Sequence, residues 1–110
     1  MSVQPAPDRE ITLHLMDGKS VRPAPSGPLF VGQKVRYTSP DGHVRIVFPD
    51  ASPYTASEVH DAHVHELRQP GHFTFHCFIT PHGQTQEIGW SPQDPDAGGD
   101  HDVQPPPPPV

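Results

Sequence analysis

The chain has 110 residues, 17 of them proline and nine histidine, and carries a formal charge of −6 with histidine neutral. Proline at this density excludes long helices, because each one removes a backbone donor and clashes with the preceding turn. The acidic balance, with Arg36, Arg45 and Arg68 standing alone, excludes the basic clusters that nucleic acid demands, and no apolar run is long enough to span a bilayer.

Residues 1–9 form a polar, proline-containing arm that is expected to be disordered. The opening MSVQPAPDRE has neither a basic nor an apolar leader region. That predicts a cytoplasmic protein, or a periplasmic or extracellular one if a leader has been trimmed. From Glu10 to Met16 the chain alternates, with Ile11, Leu13 and Leu15 on one face and Thr12 and His14 on the other, the pattern of a half-buried strand. Asp17-Gly18 is a hairpin turn signal, and Ser20–Arg22 can return as a short strand. A proline-rich connector, 23–28, leads to Leu29–Val31 and then to Lys34–Ser39, where Val35 and Tyr37 share a face. Pro40-Asp41-Gly42 is a turn. His43–Phe48 follows as a strand with Val44, Ile46 and Phe48 on one face and His43 and Arg45 on the other.

Residues 49–62 read as a loop, and Val64–Leu67 as a possible strand. Pro70-Gly71 turns the chain into His72–Ile79, the strongest strand signal, with Phe73, Phe75 and Cys77 on one face. Pro81–Glu87 is a loop and Ile88–Trp90 a short final strand. Residues 91–110 read as a disordered acidic tail ending in five prolines, Pro105–Pro109. The domain therefore spans 10–90, about 80 residues, close to the size at which one hydrophobic core suffices. Six or seven short strands separated by turns predict an all-β sandwich or barrel.

Three stretches carry a family likeness. LFVGQKVRYTSPDG, HVRIVFPD and PGHFTFHCFITPHGQTQ follow one another in an order that resembles the cupredoxins, Greek-key β-sandwiches that often hold one type 1 copper. In the last stretch Cys77 is followed by His82 in a C-x4-H spacing and by Gln86 four residues further on. The resemblance implies Cys77 and His82 as copper ligands, His43 as the second imidazole and Gln86 as the axial ligand. It also implies one-electron transfer to a redox partner protein. Two imidazoles and a thiolate in a trigonal plane, with a long axial bond, are what such a centre requires. Cys77 shares parity with Phe73 and Phe75, so its thiol should point into the sandwich. His43 has the opposite parity to its apolar neighbours, and a one-residue bulge is needed to turn it inward. The alternative is a metal-free cupredoxin-like domain acting as an interaction or binding module.

The remaining features point less far. His60, His63 and His65 form an H-x2-H-x-H run: with Val64 in a strand, His63 and His65 point the same way, an edge pair of imidazoles that can hold zinc, nickel or copper, and otherwise the run is a solvated histidine-rich loop. Cupin-type spacing fails, because Glu66 is too close to His65 and Glu87 too far. No nucleophile elbow, phosphate loop or dinucleotide fingerprint is present, and Cys77 on an inward strand face lacks the setting of a catalytic thiol, so no enzyme activity is expected. Pro105–Pro109 suits polyproline II, which SH3- or WW-type grooves recognise.

Overall fold

In the computed structural model, residues 8–25 and 27–106 are described, and they contain ten strands and no helix. The hairpin at the start follows from its turn. Asp17 and Gly18 both take positive φ, 54° and 67°, the twist that lets β1 (Arg9–Met16) and β2 (Ser20–Pro23) lie antiparallel. Asp8 belongs to the fold as well: its N–H donates to the Lys34 carbonyl, and its carboxylate accepts from the Lys34 N–H. The disordered arm expected over residues 1–9 therefore does not include Asp8 and Arg9; residues 1–7 lie outside the described residues.

Pro23, Pro25 and Pro28 cannot donate to a ladder, and the chain leaves the first sheet there and enters the second. β3 (Leu29–Phe30) lies in the second sheet and β4 (Lys34–Thr38) back in the first. The turn at Asp41 is tied down by its carboxylate, which accepts from the Leu15 N–H at 2.9 Å. β5 (Gly42–Val47) then starts where a side chain at Gly42 would run into the Thr80 carbonyl. β6 (Glu58–His60), β7 (His65–Glu66), β8 (Gly71–Pro81), β9 (Ile88–Gly89) and β10 (Gly98–Gln104) complete the chain.

One sheet has the order β2-β1-β4-β7, the other β3-β10-β8-β5-β6 with β9 also paired to β8. Two pairs are parallel, β1 with β4 and β3 with β10, and the rest are antiparallel. The sheets bury one common core as a β-sandwich. Ile11, Leu13, Val21, Val35 and Tyr37 come from the first sheet; Val44, Ile46, Phe73, Phe75, Cys77, Ile79 and Val103 come from the second. These are the inward faces that alternation assigns to β1, β4, β5 and β8.

Two more readings of the sequence are corrected. β6 lies within 49–62, which reads as loop: Val59 is its single apolar residue and gives no periodic signal. The second correction is larger. β10 lies within 91–110 and is not a disordered tail; it pairs along six positions of β8, from Gly98↔His76 to Val103↔Gly71. Its inward residues are His101 and Val103, flanked by aspartates, so composition hides the strand. Residues 107–110, and with them most of the polyproline run, lie outside the described residues.

Candidate functional site

The four residues aligned with a copper centre do not come together. Cys77 lies within β8, wholly buried between Phe75 and Ile79 on the inward face. Its N–H donates to the Ala97 carbonyl at 2.9 Å and its carbonyl accepts from the Trp90 N–H at 3.1 Å. Burial pushes the thiol up to about 12, so the neutral form is held. Beyond Cys77 the strand does not turn. Register pairs Arg45↔Phe78, Val44↔Ile79, His43↔Thr80 and Gly42↔Pro81 on one edge, and Phe78↔Gly89 and Ile79↔Ile88 on the other. Four residues of extended chain carry Pro81 roughly 13 Å past Cys77. His82 and Gln86 are exposed in the turn beyond.

His43 is 79% exposed on the opposite face of the sheet from Cys77. The pleat therefore places Cys77 and His43 on opposite sides, and no bulge turns the histidine inward: Gly42, Val44 and Ile46 are all buried. The inward positions nearest the turn are Gly42, Val44, Ile79 and Pro81, none with a side-chain donor. Among the described residues no three histidine, cysteine or carboxylate groups are grouped so as to hold a metal ion. The residues present do not fit a type 1 copper centre.

What the structure does bring together lies outside the sandwich. A groove of about 440 Å³ runs along the outer face of β5 and β6, lined among others by His43, His60, Asp61 and His63, with Arg45 and Glu87 at its side. Asp61 is fixed there because its N–H donates to the Val44 carbonyl at 3.2 Å. His43 Nδ1 stands 3.5 Å from Asp61 Oδ2. The rings of His43 and His82 meet edge-to-face with centroids 6.2 Å apart. Arg45 is gripped by both Glu87 oxygens, at 2.8 and 2.6 Å, and by Glu58 at 2.9 Å. Its guanidinium lies 4.4 Å from the Phe78 ring centroid, and the bond to Glu87 raises its pKa further above the ordinary arginine value. Of the H-x2-H-x-H run, His60 and His63 line the groove, while His65 has its ring against Tyr54, its Nε2 3.1 Å from the His60 carbonyl, and meets the His63 ring edge-to-face with centroids 6.4 Å apart. Partial burial lowers the His65 pKa.

A second polar arrangement sits inside the core. The Tyr37 hydroxyl bridges the Tyr54 hydroxyl at 2.6 Å and His101 Nε2 at 2.9 Å. The His101 ring stacks on Phe75 with centroids 4.2 Å apart and is only 1% exposed. Its Nδ1 has no hydrogen-bond partner among the described residues. Desolvation lowers its pKa to about 4, and burial raises both tyrosines above their ordinary value. Sequence reading misses this chain because His101 falls in the presumed tail. The signal that could have found it is the shared parity of His101 with Val103 between outward aspartates.

Comparison with protein-family models, with curated proteins and with solved structures finds no match for this chain.

Proposed function

We propose that the chain is a cupredoxin-like β-sandwich that works as a binding module, its working surface the histidine-lined groove outside β5 and β6, and not as a type 1 copper electron carrier. Support for the family reading is the position of the three resembling stretches, which form β3–β4, β5 and β8. The Greek-key reading is supported by the path of the chain: after β6 it crosses to β7 in the other sheet and returns as β8 beside β5. The observation that carries the binding reading is the separation of Cys77 from His43 by the thickness of the sheet, with the β8 ladder unbroken between Cys77 and His82. A copper site at Cys77 would need that ladder opened and His43 turned through the sheet. Electron transfer to a redox partner belongs to the copper reading and goes with it.

The test is the visible spectrum on adding Cu(II). A Cu(II)–thiolate bond is intensely coloured, whereas imidazole and carboxylate ligation is pale. The expected result is no intense band in the wild type. A blue band lost in Cys77→Ser would overturn the reading.

A further inference from the structure

We propose that the outer groove binds one divalent transition-metal ion of the zinc class, with His43 Nδ1 and Asp61 Oδ2 as its first two ligands. The third comes from His60, His63 or His82. This inference rests on the binding-module reading and names the ligand of that same groove.

The geometry starts from the 3.5 Å between His43 Nδ1 and Asp61 Oδ2. That is too long for a good N–H···O hydrogen bond. It is close to the roughly 3.3 Å that separates two donors each about 2.05 Å from a tetrahedral zinc. The carboxylate is placed by the backbone, through the Asp61 N–H to the Val44 carbonyl, so one donor is held to the sheet. The imidazole opposite is 79% exposed and can rotate without disturbing the core.

Further imidazoles stand around the pair. The His82 ring centroid is 6.2 Å from that of His43, and two imidazoles on one ion have centroids roughly 5–6 Å apart. His60 and His63 line the groove from the β6 side. Glu58 Oε1, which accepts from Arg45, lies 3.8 Å from His60 Nε2 and adds negative charge beside that imidazole. Imidazole and carboxylate suit zinc, nickel and cobalt, and the donor set contains no thiolate. The third ligand is not in place in this structure, so binding closes the site by side-chain rotation.

Co(II) is the probe, because it takes zinc sites and reports its ligands by colour. Full-length protein is titrated with Co(II) at neutral pH, followed by absorption, for the wild type and for His43→Ala, Asp61→Asn, His14→Ala, His72→Ala and Cys77→Ser. The inference expects saturation at one ion per chain and d–d bands without thiolate charge transfer. Affinity should fall at least about tenfold in His43→Ala and in Asp61→Asn and stay unchanged in His14→Ala and His72→Ala, whose histidines lie elsewhere on the surface. His60→Ala, His63→Ala and His82→Ala then identify the third ligand. Absence of saturable binding, or binding indifferent to His43 and Asp61, overturns the metal site and leaves the binding-module reading standing. A thiolate charge-transfer band that vanishes in Cys77→Ser overturns both.

Discussion

The most consequential residue in the core is His101. Neutral in the fold and held down to about 4 by desolvation, it takes up its proton in the unfolded chain near the ordinary histidine value of about 6.5. Its contribution is therefore complete above about pH 6.5 and is lost as pH falls through that value toward 4. The expected loss across this window is up to about 3 kcal/mol, from the size of the shift. His65 and His76, lowered chiefly by burial, add in the same direction. Urea denaturation at a series of pH values checks this, and His101→Phe should flatten the dependence. Tyr37 is the middle of the buried chain, so Tyr37→Phe strips a partner from both Tyr54 and His101 and should cost about 1–3 kcal/mol. Tyr54→Phe removes only the end group and should cost less, as denaturation midpoints will show. Cys77 should resist thiol reagents in the native state, since it is buried and its thiolate is suppressed, and react at once on unfolding. The inward parity of Cys77 was legible in the sequence. So was the outward parity of His43, and together they already spoke against a shared copper ion. The partners of Tyr37 were not legible, because contacts between β4, the 49–57 loop and β10 are set by tertiary packing.

At the scale of elements, alternation made β1, β4, β5 and β8 readable, and the Asp17-Gly18 turn fixed the first hairpin. β6 and β10 escaped because a strand with one or two inward apolar residues is indistinguishable from a loop in composition. β10 matters most: it covers one edge of β8 from Gly71 to His76, after which β9 takes over at Phe78, and Cys77 sits at the handover. Deleting residues 98–110 should therefore abolish cooperative thermal unfolding, while a chain ending at Gln104 should keep it. Gly98 lies so close to β8 that a side chain there would meet the Phe75 carbonyl. Gly98→Ala should lower the melting temperature more than Gly99→Ala, which faces only the Phe75 ring edge at 3.4 Å.

At the scale of the molecule, the sandwich uses its two surfaces differently. The interior is a packed core in which Tyr37, Tyr54 and His101 are linked to one another, with His101 Nδ1 left without a partner among the described residues. The outer face of the second sheet carries His43, His60, His72 and His76, with the Arg45–Glu87–Glu58 cluster, the His43–Asp61 pair and the His76–Trp90 stack, whose centroids are 3.9 Å apart. The strand pleat thus holds Cys77 and His43, the two residues the resemblance would join at one copper ion, on opposite faces of the sheet. That claim rests on β8 remaining a paired strand past Cys77. Since the Cys77 N–H points to Ala97, the next N–H along, that of Phe78, points to β5, as does that of Thr80. Amide hydrogen exchange at Phe78 and Thr80 is the direct measurement. Protection comparable to that of the β8 amides before Cys77 is the expected result; exchange as fast as in the 82–87 turn would mean that the strand ends at Cys77 and that Cys77 and His82 are free to converge.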